Sequence, residues 1–381
     1  MMDYFLTEDQ KDFRDLVRQI AEETVKPVRA KYDREGTFPW DIVKVFADAG
    51  FFSVVVPPEY GGMGLGVFEL ALMTEELSKV CGGISLSVAA SALGTFPILI
   101  SGNEAQKKKY LPKLASGEWL AAFGLTEPAA GSDAGSMKTR AEKHGNEYIL
   151  NGSKVFITNG GVANCYTVIA VTDPSKGARG TAAFIVERDF PGFKVGKEED
   201  KMGIRASSTN EIIFDDCHVP AENIIGREGE GFMVAMKTLD KSRPGVAAQA
   251  LGIAQGAFDL ALEYAKSRIQ FGHPISSLQA IQFMLADMAT SIESARALLY
   301  MAAKNIDAGF KNVGDISAMS KLLASDVAMK VTTDAVQIFG GYGYMRDYPI
   351  EKYMRDAKIT QIYEGTNQIQ RMVIARNIIR G

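Results

Sequence analysis

The sequence predicts an α+β chain in three parts, and three observations predict it. Apolar residues recur at helical spacing over roughly 1–120, short β-branched and aromatic runs broken by turn residues fill 121–230, and helical spacing returns over 231–381. The reading is an all-α N-terminal domain, a small central antiparallel β domain and a C-terminal helical bundle.

In the first part, Thr7 followed by Gln10 has the form of a capping box, and Phe13, Leu16, Val17, Ile20 and Thr24 then share one helical face. A second short helix carries Ile42, Val45, Phe46 and Ala49 and stops at Gly50, and 57–62 forms a Pro/Gly loop. Further helices run through Leu70, Leu72 and Leu77 and over 93–114. In the second part, Tyr148-Ile149-Leu150 and Lys154-Val155-Phe156-Ile157 flank Asn151-Gly152. This predicts a hairpin with a type I′ turn, because Asn-Gly supplies the positive φ angles that turn demands. The runs 166–172, 181–187 and 211–214 predict further strands. In the third part, Ala247, Leu251, Ala254, Phe258, Ala261 and Ala265 make one apolar stripe, and Ile281, Met284, Leu285, Met288, Ile292, Ala295 and Leu299 a second. Ala324, Ala328, Val331, Ala335 and Ile338 make a third, a last helix follows Thr366, and the chain turns around Phe271-Gly272-His273-Pro274.

With 381 residues, 46% hydrophobic and 23% charged, the chain can bury a sizeable core in two or three domains. A net charge of -4 and a pI near 5.6 give no whole-molecule attraction for nucleic acid or an anionic membrane. Cys81, Cys165 and Cys217 are odd in number and far apart, which fits neither a disulfide framework nor a zinc site and suits a reducing compartment. No run of the roughly 18 to 20 apolar residues of a membrane span is read. The stretch from Met1 to Gln10 is acidic and has neither signal-peptide nor transit-peptide character, so a cytoplasmic protein is expected. His144, His218 and His273 are scattered, no common metal or nucleophile signature occurs, and no metal is expected.

Gly61-Gly62-Met63-Gly64-Leu65-Gly66 has the glycine content of a dinucleotide loop but follows no strand and opens no βαβ unit, so it reads as a flexible turn. The stretch Ile362-Tyr363-Glu364-Gly365-Thr366-Asn367-Gln368 admits two readings. A glutamate just before a helix N-cap is commonly a solvated charge favoured by the helix dipole; pressed among Tyr363 and Ile362, its pKa would rise toward the range of a general base. The loop from Phe123 to Ser136, rich in glycine and hydroxyls, is either a surface loop or a cradle for an anion or a heterocycle edge. Gln337-Ile338-Phe339-Gly340-Gly341 ends a helix, as a plain glycine cap or as a place where a ligand approaches the backbone. Arg268 beside Phe271-Gly272 is a surface charge or a phosphate partner.

Taken together these segments resemble the acyl-CoA dehydrogenase family, in order and over nearly the whole chain. The pieces are Leu125-Thr126-Glu127-Pro128 to Asp133, Asn151-Gly152-Ser153-Lys154, Ile157-Thr158-Asn159-Gly160, Gln270-Phe271-Gly272, Gln337 to Gly341 with Gly343-Tyr344, Arg355-Asp356-Ala357 and Tyr363-Glu364-Gly365-Thr366. The resemblance implies the acyl-CoA dehydrogenase fold with a C-terminal four-helix bundle, a homotetramer, and FAD held between the β domain and the bundle with a neighbouring subunit completing the site. Positions matching flavin contacts are Phe123, Leu125, Thr126 and Ser132, then Phe156, Ile157 and Thr158. Arg268, Phe271 and Gln279 match contacts to the adenine dinucleotide part, joined by Gln337, Ile338, Phe339, Gly340 and Gly341 and by Thr366 and Gln368. Acyl-CoA contacts carry over to Ser132, Asp240, Arg243 and Gly365.

The resemblance also implies that Glu364 is the catalytic base, because the family's alternative glutamate position, directly before Arg243-Pro244, holds Ser242. Phe156 departs from the pattern, standing where many relatives have tryptophan beside the flavin. The implied reaction is FAD-dependent α,β-dehydrogenation of an acyl-CoA to a trans-2-enoyl-CoA, a step of fatty acid β-oxidation. The Glu364 N–H and a ribityl hydroxyl would polarise the thioester carbonyl, and electrons would pass to an electron-transferring flavoprotein. The runs 197–209 and 247–255 look most like the short-chain, butyryl-CoA-type branch. A medium, branched or cyclic acyl group, a non-catalytic flavin-binding relative and an oxidase are the alternatives, the last disfavoured by the compact length.

Overall fold

The computed structural model describes residues 4–380; Met1, Met2 and Asp3 of the N-terminal stretch read above, and Gly381, lie outside the described residues. The capping box forms: Gln10 N–H donates to Thr7 Oγ1 (3.2 Å) and Thr7 N–H to Gln10 Oε1 (3.1 Å), opening α1 (Glu8–Ile20). The apolar face of α1 is narrower than the sequence suggested, since Val17 is fully buried while Leu16 is 45% exposed. Helices α2 (Arg29–Glu35), α3 (Trp40–Asp48), α4 (Val67–Val80), α5 (Gly82–Ser101) and α6 (Glu104–Ala115) follow. The stretch 93–114 is two helices, because Gly102 breaks it and Asn103 builds a second capping box with Gln106.

The glycine-rich turn is packed: a side chain at Gly62 would collide with the Val56 carbonyl. The first N–H groups of α4, from Val67 and Phe68, donate to the Asp307 carboxylate at 2.7 and 2.8 Å. This helix N-terminus thus takes the protein's own anion. One expectation is corrected here. α5, and α7 (Gly231–Ser267) introduced below, are long and apolar enough to span a membrane by length and composition, but 78% and 72% of their most apolar windows are buried within the protein, as core helices are.

Strands β1 (Ala121–Gly124), β2 (Arg140–His144), β3 (Glu147–Thr158), β4 (Cys165–Val171), β5 (Thr181–Glu187), β6 (Phe193–Glu198), β7 (Thr209–Pro220) and β8 (Ile224–Ile225) form one sheet in the order β6-β7-β3-β2-β4-β5-β8, with β1 parallel to β4. Apart from β1 on β4 and a single β2–β4 bridge, the pairings are antiparallel. The hairpin expected at Asn151-Gly152 does not exist. β3 runs straight through it and pairs with β7 from Glu147↔Pro220 to Thr158↔Thr209, with a bulge between Leu150 and Gly152. The actual turn is at Gly145, which joins β2 to β3 at φ +60. Gly152 is needed for closeness, because a Cβ there would meet Thr139.

In the last part α7, α8 (Gln279–Asp307) and α9 (Gly314–Phe339) carry the three predicted stripes, and α10 (Ile350–Thr360) and α11 (Asn367–Arg380) pack against α9. A two-residue hairpin of β9 (Ile269–Gln270) and β10 (His273–Pro274) turns at Phe271 (φ 53) and Gly272 (φ 82), the positive angles a I′ turn requires. α10 escaped the sequence reading because its inward positions include Lys352 and Asp356, which form a buried ion pair. Cys81, Cys165 and Cys217 are all unpaired and buried, and among the described residues no cluster of candidate metal ligands occurs.

Candidate active site

Three elements meet at Glu364. The loop after α10 closes on the last turn of that helix, where the Ile359 carbonyl takes the N–H groups of Ile362 (2.8 Å) and Tyr363 (3.0 Å). The chain then enters the left-handed region at Glu364 (φ 50) and Gly365 (φ 90) before Thr366 caps α11, its Oγ1 accepting from Ile369 N–H at 3.3 Å. That turn takes Glu364 out of the helical ladder. Among the described residues no acceptor holds its N–H, while its carbonyl and that of Gly365 accept from Gln370 Nε2 at 3.1 and 2.8 Å.

Glu364 is half-buried, and Ser242 Oγ on α7 donates to its Oε2 at 2.6 Å. Burial raises its pKa above the ordinary carboxylate value, while the Ser242 hydrogen bond and the charges of Arg243 and Lys321 pull the other way. Ile362 is 48% exposed and does not press on it as the sequence suggested; Tyr363 is half-buried and donates to Gln249 on α7. Arg243 is 4% exposed, pairs with Asp240 Oδ1 at 2.7 Å, and keeps an unpartnered buried Nε. Ser242 is therefore a hydrogen-bond partner of Glu364, and Asp240, Arg243 and Gly365 of the expected substrate set lie around that pair.

A second group gathers on the β domain. The loop after β1 begins with a tight turn, Glu127 and Ala130 exchanging backbone hydrogen bonds of 3.1 and 3.0 Å, and Val155 N–H donates to the Thr126 carbonyl at 2.9 Å. Phe123, Leu125, Thr126 and Thr158 are half-buried and Ser132 exposed, while Phe156 is 64% exposed with φ 60. Behind them Lys154, fully buried, donates to Glu127 Oε1 (2.7 Å) and the Leu125 carbonyl (3.2 Å). Glu127 in turn accepts the N–H groups of Lys138 (2.7 Å) and Thr139 (2.9 Å). Burial pushes Lys154 down to about 8 despite Glu127; burial also raises the Glu127 carboxyl, but Lys154 and the hydrogen bonds outweigh it and hold it low.

The third group sits at the far end of α7 and α9. Arg268 lies over the Tyr342 ring at 5.5 Å, Phe271 is 87% exposed at the hairpin tip, and Gln279, Gln337, Gly340 and Gly341 are exposed. Side chains added at Gly131, Gly340 or Gly341 would meet nothing within 4 Å, so the backbone there is open to a ligand. Thr366 and Gln368 lie apart from that end, lining a cleft of about 430 Å³ beside the Glu364 turn with Asp326, Gln361 and Arg371. These features suit a long, flat, phosphate-bearing group such as FAD. Three expected contacts need restating, because the side chains of Ile157, Ile338 and Phe339 are core residues, Phe339 stacked on Tyr264 at 4.1 Å, and only their main chain can reach a ligand. Within one chain no hydrogen bond among the described residues joins this third group to the β-domain group.

Lys321 and Gln370, which grip the Glu364 turn, and the pairing of Glu127 with Lys154 were missed from sequence. A lysine on the inner stripe of α9 between Ala318 and Ala324 was the available signal for the first.

This three-part fold with a half-buried glutamate just ahead of the last helix is that of a class of acyl-thioester oxidoreductases. The chain belongs to the acyl-CoA dehydrogenase family: it matches the N-terminal domain over residues 7–118, the middle domain over 122–217 and the C-terminal domain over 229–379. It is 51% identical to a short-chain specific acyl-CoA dehydrogenase of Clostridium acetobutylicum, each chain covered in full. It is also similar, over all of both chains, to butyryl-CoA dehydrogenase from Megasphaera elsdenii (49% identity, TM-score 0.97). A chain from a structural study of the electron transferring flavoprotein of Acidaminococcus fermentans and flavin-based electron bifurcation is 54% identical with a TM-score of 0.98, again over both full chains. The protein is an acyl-CoA dehydrogenase, an oxidoreductase and flavoprotein of fatty acid metabolism.

Proposed function

We propose that the chain binds FAD and converts a short-chain, butyryl-like acyl-CoA to its trans-2-enoyl-CoA, with Glu364 as the base. The observation that carries this reading is the Glu364 carboxylate, half-buried, held by Ser242 Oγ at 2.6 Å and raised in pKa by burial, with its own N–H unclaimed among the described residues. An α-proton of a thioester is weakly acidic, so it leaves only to a positioned base while hydrogen bonds stabilise the developing enolate oxygen. Glu364 supplies the carboxylate that takes the proton, and its N–H is a donor for the carbonyl oxygen. The Ser242 hydrogen bond and the charges of Arg243 and Lys321 favour the ionised carboxylate, against the larger effect of burial. When bound, FAD supplies the hydride acceptor that no side chain can offer.

Phe123, Leu125, Thr126, Ser132, Phe156 and Thr158 would hold the ring end, and Arg268, Phe271, Gln279, Gln337, Gly340, Gly341, Thr366 and Gln368 the remainder. The exposed Phe271 at the hairpin tip and the exposed Phe283 at the start of α8 give the Arg268 end an apolar face, which supports a homotetramer in which a neighbouring subunit completes the site. The short-chain assignment and an electron-transferring flavoprotein as acceptor are supported by the relatives' descriptions. Three unpaired, buried cysteines suit a reducing cytoplasm.

The test is anaerobic bleaching of the oxidised flavin in the purified holoprotein by a panel of acyl-CoAs, beside Glu364→Gln. Rapid bleaching by butyryl-CoA, lost by at least about a thousandfold in the variant while the thioester still binds, is expected. A variant that bleaches as fast as the parent removes Glu364 from the base role.

A further inference from the structure

Lys321 is fully buried in the middle of α9, and its Nζ donates to the Gly365 carbonyl at 2.9 Å and to Asn367 Oδ1 at 3.0 Å. Among the described residues it forms no ion pair. A lysine inside a protein is rare without a carboxylate against it, and an apolar side chain of similar volume would stabilise the fold better. The charge therefore calls for a reason.

Its surroundings are arranged for it. Asn367 Nδ2 donates to Asp326 Oδ1 at 2.7 Å, which turns the amide oxygen toward Lys321. Ser325 Oγ, one helical turn beyond Lys321, lies 3.1 Å from the same oxygen. The carbonyl that Lys321 takes belongs to Gly365, the second residue of the left-handed pair at φ 50 and φ 90. A non-glycine residue at positive φ is held only where neighbours over-determine it. Gln370 already donates to both carbonyls of that pair, so what Lys321 adds beyond a hydrogen bond is a positive charge. The charged groups that act on it are Glu364 from the loop, Arg243 from α7 and Asp326 from α9 itself. Burial pushes it down to about 8, which leaves it mostly protonated at neutral pH.

We propose that Lys321 is a positioning residue for the base: its buried ammonium pins the Gly365 carbonyl and the Asn367 side chain, fixes the turn that presents Glu364, and sets a positive charge behind that turn that acts on the carboxylate. This rests on the reading of Glu364 as the base. The same charge favours the ionised carboxylate, so removing it moves the proton affinity of Glu364 upward.

The experiment follows the Glu364 carboxyl directly, by difference infrared titration of the holoprotein, with the band identified by its loss in Glu364→Gln. Lys321→Gln keeps a donor without the charge, Lys321→Met keeps neither, and Lys321→Arg keeps the charge. The expected result is an upward shift of the Glu364 titration by about one pH unit in the Gln and Met variants and a parent-like titration in the Arg variant. The acid limb of kcat/KM should move with it. A titration unchanged in Lys321→Gln, or an Arg variant that titrates like the Gln variant, overturns the proposal. If Lys321→Met does not fold, the Gln and Arg variants decide alone. Failure of the base assignment would look different: Glu364→Gln would still bleach the flavin, whatever the Lys321 variants did to the carboxyl titration.

Discussion

Ser242 occupies the position at which the family's alternative base would stand, and its hydroxyl bears directly on how Glu364 titrates. Burial lifts the Glu364 pKa, and the Ser242 hydrogen bond, made to the ionised form, lowers it. On the proposed reading Glu364 works as a base when ionised, so kcat/KM falls as pH drops through the enzyme's Glu364 pKa. Ser242→Ala removes an opposing influence, and the acid limb should move to higher pH by about half to one unit, with the high-pH plateau within about twofold of the parent. A pH profile of kcat/KM with the preferred acyl-CoA checks this; a limb that stays put or moves down would show that the hydrogen bond does not act on the base. Glu364 itself was legible as a glutamate ahead of a helix cap within a family motif. Its control was not, because Ser242, Lys321 and Gln370 lie 122, 43 and 6 residues away along the chain and converge only once α7, α9 and α11 pack.

At the scale of elements, β3 departs most from its sequence. Asn151-Gly152 has the chemistry of a tight turn, and local propensity alone would fold the strand back there. Tertiary pairing overrides it, because β7 pairs along the full length of β3 and absorbs the extra residue as a bulge. The continuous strand is what carries Lys154 inward beneath the loop after β1. Substituting Lys154→Met leaves Glu127, 7% exposed, as an uncompensated buried carboxylate, a change of about 3 to 5 kcal/mol. The expectation is a thermal midpoint lowered by several degrees and flavin retention weakened about tenfold or more, with Glu127→Gln in the same chain recovering part of both losses. Thermal melts and flavin fluorescence titration measure the two effects. If the single variant melts and holds flavin like the parent, the buried pair does not brace the loop.

The order of helical, β and helical parts could be read from the sequence because hydrophobic periodicity reports burial inside a chain. Periodicity says nothing of apolar residues that the fold leaves in water, and Ile269 (51% exposed), Phe271 (87%), Phe283 (60%) and Tyr344 (82%) look like unremarkable loop and helix residues until the fold places them. They belong to the hairpin after α7, the start of α8 and the turn after α9, next to the third group of expected flavin positions. Large aromatic side chains left in water at that density favour association. If a neighbouring subunit covers this face and completes the flavin site, a charge at the hairpin tip should disturb assembly and cofactor together. Phe271→Asp is therefore expected to lower the mass measured by light scattering below that of the parent and to weaken flavin retention by about tenfold or more. The two losses should track each other across protein concentration, because the site is completed only on association. A variant with the parent's mass and full flavin loading would mean that Phe271 is not part of a contact that completes the flavin site.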